Sequence, residues 1–195
     1  MLTNLQVYDM FNSIRASGYP MQETLDVRDQ HRYIDDHDWK RAVSLAVRES
    51  SEGHDNFLSG IVVSFDLTCT IKMWTEFERY HFAQIVSSQS TMHRLFKMQL
   101  DTSCIPYTDP KIIERLIELQ KRFNEEPNEQ NRMTLLYSCP VGLKLTARVT
   151  TNYRQLKTIF KQRHNHQLHE WKDFCREILE QCPMARVFIA GEKED

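Results

Sequence analysis

A chain of 195 residues, 41% hydrophobic and 27% charged, has the length and balance of one globular domain with a sizeable core. Lys and Arg number 25 against 27 for Asp and Glu, which excludes a general attraction to nucleic-acid polymer; any phosphate binding must be local, built from a few arginines. No apolar run approaches the length that spans a bilayer, and there is no repeat or low-complexity tract. Cys69, Cys104, Cys139, Cys175 and Cys182 form no Cys-x-x-Cys pair and no signal peptide is seen, so a reduced, cytoplasmic protein is expected.

In chain order, residues 5–17 place Leu5, Tyr8, Phe11 or Asn12, and Ile14 at helical spacing, stopped by Gly18-Tyr19-Pro20. The charged stretch 21–37 reads as a loop. Asp38 is the expected N-cap of a helix over 39–48 with Trp39, Ala42, Val43, Ala46 and Val47 on one face. After a polar break at 50–55, residues 60–70 form the clearest strand: Ile61, Val63, Phe65, Leu67 and Cys69 alternate with mostly polar neighbours. That strand feeds a helix expected over 71–86. Asp109-Pro110 opens another helix, with Ile112, Ile113, Leu116, Leu119 and Phe123 at periods of three and four, and a short helix follows through Met133, Leu135 and Leu136. Pro140 and Gly142 bracket a turn into a second strand over 143–150. Asn152 then caps a helix over 153–163, another runs over 167–181, and 187–190 reads as a short closing strand. The pattern predicts an α+β fold, helices packed on a small, mainly antiparallel sheet, with 1–52 as an N-terminal helical segment packed on a core of 53–195.

Two stretches carry candidate chemistry. In residues 76–94, Ser87, Ser88, Ser90 and Thr91 compete with helical backbone for hydrogen bonds, and Arg79 and Arg94 flank them. Guanidinium forks and open amides hold phosphate; the plainer reading is a solvated helix end. In residues 152–163, Arg154, Thr158 and Gln162 share a helical face, and Arg163 follows Arg154 by nine residues. Here too there are plain readings: Asn152 as an N-cap, the arginines as solvated helix residues, His54 as a turn residue. His164, His166, His169 and Glu170 have metal-like spacing but no complete ligand set, so no metal is expected. Trp171, Phe174, Cys175, Ile178 and Cys182 form an apolar stripe, core or subunit interface rather than a redox pair.

The segment Asn152-Tyr-Arg154-Gln-Leu156, ending at Arg163, resembles the Asn-x-Arg-x-Leu helix of the flavin-dependent thymidylate synthases. Other pieces of that family's pattern appear in the same order. Gly53-His54 before the strand at Phe65-Asp66-Leu67 looks like its Gly-His segment. Glu76, Arg79, Tyr80 and His81, then Ser87, Ser88, Ser90 and Arg94, approximate its signature, Gln-x-x-Arg-His-Arg followed by Ser, Asn-Glu, Ser and Arg. The departures are definite: Glu76 stands for Gln, Tyr80 and His81 for His-Arg, and Arg94 falls two positions late. Leu136 stands where an arginine is expected before the Leu-Pro turn, with Arg132 displaced from it. These departures bear on methyl transfer more than on flavin binding.

The resemblance, over roughly residues 53–182, implies a homotetramer that binds FAD between subunits and methylates dUMP to dTMP. Methylene tetrahydrofolate supplies the carbon, and NADPH reduces the flavin, which supplies a hydride; no cysteine nucleophile is required. It implies that His54, Arg79, Tyr80, His81, Ser87, Ser88, Asn152, Arg154 and Thr158 contact the cofactor. Glu76, Ser90, Arg94 and Arg163 would contact dUMP, with His54 and Arg163 nearest the chemistry. The short chain and drifted signature point to a viral or otherwise fast-evolving member, in the host cytoplasm if viral. The alternative is a non-catalytic FAD- or nucleotide-binding or assembly protein that keeps the fold without turnover.

Overall fold

The computed structural model describes residues 1–23 and 33–192. Part of the loop expected over 21–37 lies outside the described residues. The first element is a strand, β1 (Leu2–Tyr8), followed by the short helix α1 (Met10–Ala16). The single helix expected over 5–17 is therefore corrected. Asp9 breaks the chain between the two elements with a left-handed backbone, φ 60°; Leu5 and Val7 satisfy a strand's alternation, while Leu5 and Tyr8 satisfy a helix's period.

Helix α2 (Asp36–Ala46) starts three residues earlier than expected because Asp35, not Asp38, is the cap: its side chain accepts from the Asp38 N–H at 2.8 Å. Asp38 is buried in the first turn and pairs with Arg41 at 2.7 Å. Strand β2 (Val62–Thr70) has the expected alternation, with Val63, Phe65, Leu67 and Cys69 fully buried.

The next correction concerns the helix expected over 71–86. Helix α3 (Ile71–Phe77) stops after two turns, and Gln84–Ser88 form strand β3. The β-branched pair Ile85-Val86 suits a pleated strand better than a helix end. Two short helices follow, α4 (Thr91–Arg94) and α5 (Leu100–Ser103). Helix α6 (Pro110–Glu125) carries Asp109 as its cap, and α7 (Glu129–Tyr137) carries Asn128. Strand β4 (Lys144–Asn152) runs directly into α8 (Tyr153–Arg163), then α9 (His169–Gln181). Residues 185–188 form a helical turn, α10 (Ala185–Phe188), which corrects the strand expected over 187–190. Phe188 is completely buried there, its ring 5.3 Å from that of Trp39 and 5.8 Å from that of Phe57.

The four strands form one sheet in the order β1-β2-β4-β3. Ser64 pairs with Thr150 at 2.9 Å and Thr68 with Thr146 at 2.8 Å, so one strand advances as the other retreats: β2 and β4 are antiparallel. The fold is α+β, with helices and a small antiparallel sheet, as the sequence predicts.

The chain divides into two compact units. The first comprises Met1–Asp66, Tyr80–Gln84 and Val149–Asp195; the second comprises Leu67–Arg79 and Ile85–Arg148. In the first, Phe65 from β2 meets Phe174 edge-on, ring centres 5.9 Å apart, and Trp171 meets Phe174 at 5.8 Å. Tyr153, Leu156 and Ile159 of α8 complete that core. Each such fully buried aromatic or aliphatic side chain contributes about 2 kcal/mol of transfer free energy. The second unit has its own core of Leu95, Leu100, Leu116, Leu119, Leu135 and Leu143. Half-buried Gly142, just before Leu143 of that core, is tightly packed: a Cβ there would overlap the Thr108 hydroxyl and lie 3.3 Å from Ile105 Cγ2.

Gly142→Ala is therefore expected to destabilise the protein by about 1–3 kcal/mol in urea unfolding. The Thr108 hydroxyl is buried without a hydrogen-bond partner among the described residues. Adding Thr108→Ala to Gly142→Ala should recover much of the loss; no recovery would show that the clash is not with Thr108.

Candidate functional site

The direct passage from β4 into α8 orients the first set of candidate residues. Asn152 Oδ1 accepts from the Gln155 N–H at 2.9 Å and caps the helix. With Tyr153, Leu156 and Ile159 turned into the core, Arg154 and Lys157 come out together one turn apart. Both reach Asp55, which is fully buried. Arg154 Nε lies 3.1 Å from Oδ1, Lys157 Nζ 2.8 Å from Oδ2, and the Ser50 hydroxyl donates to Oδ2 at 2.5 Å. Arg154 Nη2 also donates to the Ser50 carbonyl at 2.6 Å, and Lys157 donates to the carbonyls of Ala46 and Arg48 at 2.7 and 2.6 Å.

Burial acts to raise the Asp55 pKa, but hydrogen bonds from Lys157 and Ser50 and the charges of Lys157 and Arg154 outweigh it. Its carboxyl is held below the ordinary value of 3.8. This anchor lies beside exposed His54 and Gly53, whose φ of 75° suits glycine. Arg154 thus commits two of its three nitrogens inward. Asp55 was not among the residues expected at the site; the signal that points to it is an Arg and a Lys three apart on a helix, a spacing that suits a shared carboxylate. Thr158 also turns back, donating to the Arg154 carbonyl at 3.2 Å.

A cleft of about 540 Å³ runs beside α8, lined by Arg48, Ser51, Thr158, Lys161, Gln162 and His164 among others. That volume is in the range of small-molecule sites.

The far end of α8 carries a second cluster. Arg163 Nε donates to the Tyr80 hydroxyl at 2.8 Å, and that hydroxyl donates to Gln162 Oε1 at 3.0 Å. The Arg163 guanidinium lies 4.9 Å from the Trp171 ring centre and 5.8 Å from that of Tyr80, with Nη1 2.8 Å from His166 Nε2. The aromatic faces and the hydroxyl hold the guanidinium in one orientation. Arg154 and Arg163 lie nine residues apart, about 13 Å along the helix, so α8 carries two clusters rather than one. His164 stacks on Phe160 and contacts its carbonyl through Nδ1 at 2.8 Å, while His166 faces Arg163.

Strand β3 is exposed along its whole length. Gln89, just after it, is tied to β4: its N–H donates to the Thr146 carbonyl at 2.9 Å, and its side-chain oxygen accepts from the Thr146 N–H at 3.2 Å. Ser87 and Ser88 are exposed, and Ser90 takes the N-cap position of α4 without a side-chain cap bond. Arg79, His93 and Arg94 are exposed, and their side chains make no hydrogen bond or ion pair among the described residues. His81 and His54 are likewise exposed. Glu76 is paired with Lys72 at 3.0 Å.

The architecture has counterparts among solved structures. The flavin-dependent thymidylate synthase ThyX of Helicobacter pylori, complexed with FAD and dUMP, superposes with a TM-score of 0.73 at 13% identity, over 96% of this chain and 97% of that one. A second structure of that enzyme with FAD and dUMP gives 0.73 and 13%, over 94% and 93%. The UMP/dUMP methylase PolB of Streptomyces cacaoi, bound with 5-Br dUMP, gives 0.69 at 11%, over 97% and 94%. The fold is that of the flavin-dependent thymidylate synthases. No protein-family model matches the sequence, and no curated protein matches it.

Within this thymidylate synthase fold the thiols are poor nucleophiles. Burial pushes Cys139 up to about 11 and Cys175 and Cys182 up to about 12, and raises Cys104. These four remain protonated near neutral pH, and Cys69 is fully buried. No helix among the described residues is long and apolar enough to cross a membrane.

Asp55→Asn leaves Arg154 and Lys157 against a neutral group and should cost about 3 kcal/mol in urea unfolding. Because the folded carboxyl titrates below its ordinary value of 3.8, its stabilisation is present above that value and lost as pH falls through the folded one. The gap between wild type and Asp55→Asn should therefore shrink in acid; a gap independent of pH would argue against an ionised Asp55. At about pH 7.5 iodoacetamide should alkylate the native thiols far more slowly than the urea-unfolded ones, as mass spectrometry would show.

Proposed function

We propose that the protein binds FAD and dUMP and acts as a divergent flavin-dependent thymidylate synthase, converting dUMP to dTMP with methylene tetrahydrofolate and NADPH as co-substrates. The observation that carries this reading is the positive charge at Arg79 and Arg94, uncommitted among the described residues. Both flank the hydroxyls of Ser87, Ser88 and Ser90, in a fold shared with a protein solved with FAD and dUMP. Elsewhere in the chain, cations at candidate positions are engaged: Arg154 by Asp55, Arg163 by Tyr80.

These donors fit an anionic cofactor and a nucleotide monophosphate. Bound FAD would supply the redox chemistry of the methylation. Arg79, Ser87 and Ser88 form the wall against cofactor and nucleotide, with Glu76 at its start, and His81 is a cofactor contact. Ser90 and Arg94 hold the nucleotide phosphate, in the manner of guanidinium forks. Asn152, Arg154 and Thr158 hold the cofactor along α8, and His54 lies near the flavin and folate. Arg163, its plane set by Trp171 and Tyr80, orients the pyrimidine. A homotetramer completes each site with residues of a neighbouring subunit.

One observation favours a second reading, a binding protein without turnover. Tyr80, at a demanding signature position, is only 7% exposed and its hydroxyl is held between Gln162 and Arg163, so it presents little to a ligand.

The visible spectrum and calorimetric titrations with FAD and dUMP test the proposal. A yellow or FAD-binding protein that oxidises NADPH and forms dTMP is expected. A protein with no affinity for either ligand rejects both readings, and binding without turnover selects the second. Arg94→Ala should weaken dUMP binding at least about tenfold, the loss of a charge-assisted contact, with a smaller effect on FAD.

A further inference from the structure

The second unit contains a cleft that the proposed reaction does not use. It measures about 580 Å³ and is lined by Met92, His93, Phe96, Phe123, Asn128 and Arg132, with Glu129 at its edge. Arg132 sets it apart. This half-buried arginine buries its Nε with no hydrogen-bond partner, and its guanidinium makes no ion pair among the described residues. Glu129 shares the lining but does not neutralise it. The guanidinium lies over the Phe96 ring, 5.8 Å from its centre, and that ring packs on Phe123 with centres 4.4 Å apart and planes tilted by 36°.

Arg41, Arg154 and Lys157, also partly buried, have carboxylates: Arg41 has Asp38 at 2.7 Å, and Arg154 and Lys157 have Asp55. A buried, charged donor without an acceptor is costly, and a cation–π contact offsets only part of that cost. The aromatic pair, Met92 and Met133 supply an apolar, adaptable wall beside the cation. A ligand that satisfies both must join an anionic group to an apolar, ring-bearing body.

We infer that this cleft is a binding site for a small aromatic anion, its carboxylate or phosphate on the Arg132 guanidinium and its ring against the Phe96–Phe123 pair. Its lining takes Met92 and His93 from α4, whose N-cap Ser90 and last residue Arg94 are nucleotide contacts proposed above, but its cation, Arg132, is none of those contacts, and the inference does not rest on that reading.

Calorimetric titration of the full chain with 4-phenylbutyrate, phenyl phosphate, the neutral 4-phenylbutanol and inorganic phosphate tests this. At least one aromatic anion should bind more tightly than the alcohol and than inorganic phosphate; which one binds distinguishes carboxylate from phosphate. Arg132→Gln should weaken that anion at least about tenfold, the loss of a charge-assisted contact, and leave the alcohol unchanged. Saturating dUMP should not displace the anion.

Equal affinity for anion and alcohol, equal affinity in wild type and Arg132→Gln, no binding of either aromatic anion, or displacement by dUMP would each overturn the inference. If Arg132→Gln does not fold, Arg132→Lys carries the test, because it keeps the charge but loses the fork. A lower anion-to-alcohol affinity ratio then supports the site, and an unchanged ratio rejects it.

Discussion

Asp55 is the constraint on which the first unit depends. A carboxylate with no solvent exposure gathers a cation from each of two successive turns of α8 and a hydroxyl from the turn at Ser50. Lys157 extends the network to the carbonyls that end α2. The end of one helix, the irregular stretch after it and the start of another are thereby fixed by one ion cluster. Removing any partner would leave buried charge uncompensated, so the arrangement behaves as a unit rather than as separable contacts.

That cluster also explains how charge is distributed over the candidate site. A sequence reading weighs Arg79, Arg94, Arg154 and Arg163 alike, since each is an arginine in a matching motif position. The structure separates them. Arg154 is drawn inward by Asp55 and Arg163 is held against Tyr80 and Trp171, whereas Arg79 and Arg94 are exposed, without partners among the described residues. Those commitments come from residues distant in sequence, which is why spacing along α8 did not reveal them.

The elements legible in the sequence were those whose local pattern agreed with their packing. Strand β2 alternates cleanly, α6 opens with Asp-Pro and keeps its apolar period, and Asn152 caps α8 as expected. The misreadings fall where a short segment fits two periods and a distant partner decides. Residues 5–8 fit strand or helix, and the chain breaks at Asp9. Residues 84–88 follow a genuine helix but belong to the sheet, and residues 185–188 turn helical around a Phe188 buried between Trp39 and Phe57. Of the site, the order of motifs was legible. The inward commitment of Tyr80 and the role of Asp55 were not, because both depend on tertiary contacts.

The paired hydroxyls between β2 and β4 fix the register of the sheet. A slip of one residue would exchange the faces of β2, turning Phe65 and Leu67 away from the core and Ser64 and Asp66 toward it. A slip of two would preserve the faces but set Thr68 opposite Arg148 or Lys144 in place of Thr146. Two small side chains that fit each other at contact distance would then meet a long cation on one side. The outer row of hydroxyls, modest in energy, therefore rejects the misalignment that the hydrophobic face alone would tolerate.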